Sequence, residues 1–134
     1  MKIYRFMSMK EFQMVTAGCE IVGGYHKART SSYGVCFLPE KIKIDEERTF
    51  DPESSIRFLS GIVCDDVLVE FNVIDPKILN ESWGVYADPD YYYGRIIIDE
   101  LCCDHYSINQ LVPTRYAVMT YPYFGCAFTW YNVN

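Results

Sequence analysis

The chain has no apolar run approaching the roughly 20 residues that a helix needs to cross a bilayer. Its opening, Met1-Lys2-Ile3-Tyr4-Arg5, is not followed by the apolar stretch and small-residue cleavage site of a secretory leader. A cytoplasmic protein that makes no membrane contact is therefore expected. Histidine is scarce: His26 and His105 have no second ligand at zinc or iron spacing, so no metal is expected. Cys-x-x-Cys is missing as well. The six cysteines (Cys19, Cys36, Cys64, Cys102, Cys103, Cys126) stand in apolar surroundings and read as reduced thiols that pack like small hydrophobes. Cys102-Cys103-Asp104-His105 gathers ligand types, but adjacent residues of a strand point to opposite faces. No glycine-rich phosphate cradle occurs, since Gly23-Gly24 stands alone. Basic residues are few, 12 against 18 acids, for a net charge of −6. Direct nucleic-acid binding through a general basic surface is thereby disfavoured, because it needs clustered Lys and Arg.

What the chain does have is apolar and aromatic bulk: half of its 134 residues are hydrophobic, with twelve Tyr and eight Phe. That length suits one domain spanning residues 1–134. Tyr in such quantity fits pleated, half-buried surfaces, where the ring packs and the hydroxyl reaches water. Alternation from Lys2 to Met7 predicts a strand. Ser8-Met9-Lys10-Glu11 is a capping box and Gly18 a stop, which predicts a helix with Met9, Phe12 and Val15 on its buried face. Asp51-Pro52-Glu53, with Gly61 as terminator, predicts a second short helix. Further strands are expected over 34–38, 67–73, 82–87 and 94–102, and a hairpin over 115–131 around Pro122. In the strand over 67–73, Glu70 and Asn72 are expected on a polar face. The fold class is α+β: a bent or split antiparallel β-sheet with two short helices.

Three features recur in a suggestive order. An arginine sits in the first strand (Tyr4-Arg5), a hydroxyl triplet (Thr30-Ser31-Ser32) leads into a later strand, and glutamates Glu70 and Glu100 sit in strands beyond. That order resembles the ADP-ribosyltransferase family, over about thirty residues on a generous reading of the motif. The resemblance implies an NAD-dependent transferase that moves ADP-ribose to a macromolecular target, in most cases a protein. Tyr4 and Arg5 would bind the cofactor's phosphates, Thr30, Ser31 and Ser32 would support the nicotinamide pocket, and Glu100 would be the catalytic carboxylate. Tyr25, Tyr33, Tyr86 and Tyr106 would line the cleft. Two departures stand out: the triplet reads Thr-Ser-Ser, and the residues two before Glu100 and Glu70 are Ile98 and Leu68, so no Glu-x-Glu pair occurs.

Each element also has a plainer reading. Arg5 can neutralise Glu11, the triplet can be a polar loop, and Glu100 can be a strand-end acid. A second class of function follows: a small acidic, non-catalytic inhibitor or interaction protein of the kind carried by phages and mobile elements. Its runs Asp45-Glu46-Glu47 and Asp88-Pro89-Asp90, with Tyr91-Tyr92-Tyr93 adjacent, would cover a basic surface on a host protein.

Overall fold

Alternating side chains make Lys2–Met7 a strand (β1), and its six residues pair antiparallel with Val67–Val73, from Lys2↔Asn72 to Met7↔Val67. The computed structural model describes residues 1–23, 30–31, 34–43, 49–50, 66–87, 95–118 and 129–134, with backbone alone at 30–31, 42–43, 49–50, 84–87 and 95–97. Ser8 ends β1: its Oγ accepts the Glu11 N–H at 3.1 Å, and the helix Met9–Thr16 (α1) starts there. Gly18, at φ 84°, takes the left-handed turn that ends α1, and the Cys19 N–H reaches back to the Met14 carbonyl at 2.9 Å.

The remaining described elements are short strands at Ile21–Val22 (β2), Thr30–Ser31 (β3), Ile42–Lys43 (β5), Thr49–Phe50 (β6), His105–Tyr106 (β10) and Tyr131–Asn132 (β12). The longer ones are Gly34–Pro39 (β4), Val67–Val73 (β7), Asn80–Ala87 (β8), Arg95–Cys103 (β9) and Leu111–Val118 (β11), and Pro76–Ile78 forms a single 3-10 turn. The main sheet runs β12-β11-β7-β1-β4-β9-β8, with β3 paired to β4, and the pairings are antiparallel. Two small pairs, β10-β2 and β5-β6, stand apart.

The sheet is joined narrowly between β1 and β4. β1 meets β4 only through Ile3↔Pro39 and Tyr4↔Leu38, whereas β1 and β7 pair over six residues and β8 and β9 over eight. Beyond Tyr4 the two halves of the sheet diverge. Gly34, at φ 125°, opens β4 where an added Cβ would strike the Cys103 carbonyl, so the two strands close up only because this residue has no side chain.

One face of the sheet carries Ile3, Met7, Val67, Val69 and Phe71 into a core completed by Val15 of α1, Ile21, Val35, Phe37, Tyr106 and Leu111. Phe37, Phe71 and Tyr106 meet edge to face at 5.3–5.6 Å, each pair worth roughly 0.5–1.5 kcal/mol beyond its buried area. Glu70 and Asn72 lie on the opposite face, as expected, but that face is covered at Leu68, 0 % exposed, and Glu70, 4 %, and only partly at Asn72.

Among the described residues the molecule is mostly antiparallel sheet, with one α-helix and one 3-10 turn. The second helix, expected over 51–61, lies outside the described residues. β11 begins earlier than expected, at Leu111, accommodates Pro113 at a register irregularity between Pro113 and Arg115, and pairs with β12, while the turn expected around Pro122 lies outside the described residues. No helix among the described residues is long and apolar enough to cross a membrane.

Candidate functional site

Arg5 and its strand neighbours define three charged constellations. Register places Arg5 opposite Val69, hence on the helix-covered face. There its guanidinium grips Glu11 of α1 with both fork arms, Nε to Oε2 and Nη2 to Oε1, each at 2.6 Å. Nη1 reaches across the split to the Cys36 carbonyl of β4 at 3.0 Å, and the group lies 5.8 Å from the Phe37 ring centre. Tyr106 donates its hydroxyl to Glu11 Oε2 at 3.3 Å. Both ionic side chains are fully buried. Desolvation works against the Arg5 charge, but Glu11 outweighs it and holds the guanidinium's pKa above its ordinary value. Burial first, then Glu11, pushes the Tyr106 phenol well up. The capping box is thus only half formed: the Ser8 hydroxyl takes the Glu11 N–H, while the Glu11 carboxylate turns inward to the sheet.

Tyr4 faces the other way. Its hydroxyl donates to Glu70 Oε2 at 2.9 Å, and the same carboxylate accepts Arg115 Nε at 2.8 Å, Thr114 Oγ1 at 2.9 Å and Lys2 Nζ at 3.3 Å. Trp130 lies over the Arg115 guanidinium at 4.2 Å and edge-on to Tyr4 at 6.3 Å. Desolvation raises the Glu70 carboxyl, but the bonds from Arg115, Thr114 and Tyr4 outweigh it and hold the group below its ordinary range. Burial, then Glu70, pushes Tyr4 up to about 12.

Glu100 of β9 pairs across to Ser82 of β8 and lies 3 % exposed. Burial pushes its carboxyl up to about 7, against the pull of the Arg5 charge. It lines a cavity of about 290 Å³ with Pro39, Glu81, Ser82, Asp99 and Leu101. Beside it, Trp83 pairs with Asp99 and stands 65 % exposed, with Glu81 two residues away on the same strand face.

The residues expected to bind NAD are therefore brought together only in part. The strands carrying Arg5, Ser31 and Glu100 all pair with β4 or, for β9, along its other edge. The side chains of Tyr4 and Arg5, however, leave opposite faces, so they do not share a cleft. All of the Arg5 nitrogens named above face protein acceptors, and a pyrophosphate would have to displace a fully buried Glu11. The residues present do not fit a phosphate grip at Arg5. Tyr106 is likewise core rather than cleft lining, at 1 % exposed. Thr30 and Ser31 are described in backbone only. Ser32, Tyr25, Tyr33 and the acidic runs over 45–47 and 88–90 with the tyrosines over 91–93 lie outside the described residues, and Tyr86 is described in backbone only.

Sequence reading missed Glu81, Ser82, Trp83 and Asp99. Alternation along β8 and β9 was the available signal, because Glu81, Trp83 and Asp99 fall on one face once the two strands are paired. Among the described residues no group of three or more His, Cys, Asp or Glu is arranged to hold a metal ion. No family model, curated protein or solved structure matches the chain.

Proposed function

We propose that the chain is a small acidic, non-catalytic cytosolic protein that binds a basic surface of a larger protein through the β8-β9 face. The observation that carries this reading is Trp83, 65 % exposed and directly opposite Asp99 on the strand face that also carries Glu81. An indole beside carboxylates suits a Lys or Arg side chain, which gains a cation–π contact and an ion pair at once. Exposed Trp is also the residue type most often found at the centre of binding interfaces. A strand at the end of the described sheet order adds backbone groups that an extended segment can pair with.

The test is a fluorescence titration of Trp130→Phe protein, in which Trp83 is the sole indole, with an Arg-rich peptide. Saturable quenching that is lost in Glu81→Gln/Asp99→Asn, yet kept in Glu20→Gln/Asp104→Asn, supports the reading. Equal weakening by both pairs means that bulk charge alone attracts the peptide, and the proposal fails.

One observation favours a second reading, the ADP-ribosyltransferase-like one: β1, β3 and β9 converge on β4, and Glu100 is a buried carboxyl at a cavity. In that reading Arg5 serves as a buried anchor of the split, and the group that would hold the phosphates is not Arg5. Calorimetry with NAD decides it. Heat of binding that persists in Arg5→Lys, with NAD hydrolysis abolished by Glu100→Gln, supports a transferase; no heat in the native chain ends that reading.

A further inference from the structure

The geometry points to Cys36 and Cys102 as a redox-active pair that closes into a reversible cross-strand disulfide. Their placement follows from register: β4 and β9 pair antiparallel through Val35↔Cys103, Cys36↔Cys102 and Phe37↔Leu101. Residues directly opposite in such a ladder have Cα atoms about 4.5–5.5 Å apart and side chains on the same face. That separation lies inside the roughly 4.4–6.8 Å range that a disulfide spans. Both thiols are free, and the Cys36 side chain acts electrostatically on Cys102, a lesser influence than the burial that raises that thiol.

The other described cysteines are excluded by position. Cys103 points to the opposite face, is 2 % exposed, and burial pushes its thiol up to about 12. Cys19 is exposed beyond the end of α1, on another part of the chain. Within the pair the roles differ. Cys36 is partly exposed and Cys102 is only 8 % exposed, so an oxidant meets Cys36 first. The Arg5 Nη1 bond to the Cys36 carbonyl fixes the backbone from which that thiol projects.

The step balances with a peroxide as oxidant. The Cys36 sulfur attacks one peroxide oxygen, the O–O bond breaks, and a sulfenic acid and one water form. The Cys102 sulfur then attacks the Cys36 sulfur. The S–O bond breaks and hydroxide leaves, taking up the Cys102 proton as a second water. Two thiols are oxidised by two electrons and one hydrogen peroxide is reduced to two waters. The product ties β4 to β9 on the face that carries Glu100, since Cys102 and Glu100 are two residues apart on one strand. This inference does not depend on what the chain binds.

The experiment treats the native chain with hydrogen peroxide, blocks the remaining thiols with N-ethylmaleimide, and reads intact mass and linked peptides. The expected result is a loss of two hydrogen atoms, a single Cys36–Cys102 cross-linked peptide, and full reversal by dithiothreitol. Cys36→Ser and Cys102→Ser each abolish the mass loss, and Cys103→Ser retains it. Circular dichroism checks that each variant is folded; should Cys102→Ser not fold, protection of Cys102 from alkylation in the oxidised native chain gives the same reading. The idea is overturned if Cys36 is trapped as a sulfinic acid while Cys102 remains alkylatable, or if the cross-link involves any other cysteine.

Discussion

Glu70 and Glu100 sit on the same face of one sheet, nearly equally hidden from solvent, and their carboxyl groups behave in opposite ways. Glu70 is 4 % exposed and Glu100 3 %. The first lies in the β1-β7-β11 half, where Arg115, Thr114, Tyr4 and Lys2 all donate to it, and it stays a strong acid. The second lies in the β4-β9-β8 half, where burial is the largest influence and Arg5 pulls only partly against it, so it titrates at about 7. Equal burial does not give two carboxyls equal pKa values; the charges and bonds around each decide which way it shifts. The Glu70 half is a structural clamp, and the Glu100 half is the one that carries the cavity and Trp83.

The largest effect expected is from Arg5, because it is the charge that both stabilises the split and restrains Glu100. Arg5→Met leaves Glu11 buried and unpaired, and should cost roughly 3–5 kcal/mol in denaturant melts. Adding Glu11→Leu should recover much of that loss, since an apolar pair replaces an ionic one. In the double variant the pKa of Glu100, freed from the Arg5 charge, should rise further above 7 while that of Glu70 stays low. A double variant with Glu100 unchanged would mean that the two halves are electrostatically separate.

Next in size is the pH dependence, where the two acids should give opposite signs. The folded-state pKa of Glu100, about 7, lies above the ordinary carboxyl value of 4.5, so the folded chain holds that proton more tightly. Its contribution is complete below about pH 4.5 and falls away as pH rises through 7, by roughly 3 kcal/mol at the limit. Glu70 is depressed, so its contribution is present above pH 4.5 and is lost as pH falls through its folded-state value. Glu100→Gln should therefore flatten the neutral limb of a stability-against-pH curve and leave the acid limb. Glu70→Gln should flatten the acid limb and cost about 1–3 kcal/mol at pH 7, because Arg115 and its neighbours lose their acceptor. Identical curves for the two variants would erase the contrast.

How much of this was legible in the sequence follows from how local each feature is. β1, the Ser8 cap, the Gly18 stop and the β7 alternation were readable because each rests on neighbouring residues. The antiparallel sheet was anticipated in kind, though its narrow join between β1 and β4 depends on a two-residue register that no local pattern encodes. Glu11 shows the limit. As the fourth residue of a capping box it reads as a helix-end acid, and pairing with Arg5 was available as the plainer reading. Its complete burial appears only when α1 folds back over β1 and Tyr106 arrives from 95 positions away. The burial of Glu70 was hidden for the same reason: a period of two assigns faces to a strand, correctly here, but does not say whether another layer covers the polar one. The Glu81-Trp83-Asp99 surface was missed because its members belong to two strands, and their order in the chain carries no trace of the register that joins them.

The smallest effect expected lies at Lys2, and it separates two accounts of why Glu70 stays ionised. Lys2 Nζ approaches Glu70 Oε1 at 3.3 Å, whereas Arg115, with a side chain exposed to the same 40 % as that of Lys2, makes two contacts at 2.7 and 2.8 Å under the Trp130 ring. A flexible, solvated ammonium contributes little and is screened by salt, while a stacked guanidinium fork is held in place before the acid arrives. Lys2→Met should thus change stability by less than about 0.5 kcal/mol, with even that difference gone at high salt. Arg115→Met should cost more, keep most of its cost in salt, and raise the pH at which the acid limb falls. Equal costs for the two, both abolished by salt, would mean that Glu70 is held by nearby positive charge alone. Its contrast with Glu100 would then rest on the number of cations around each acid, not on the direction of the bonds they receive.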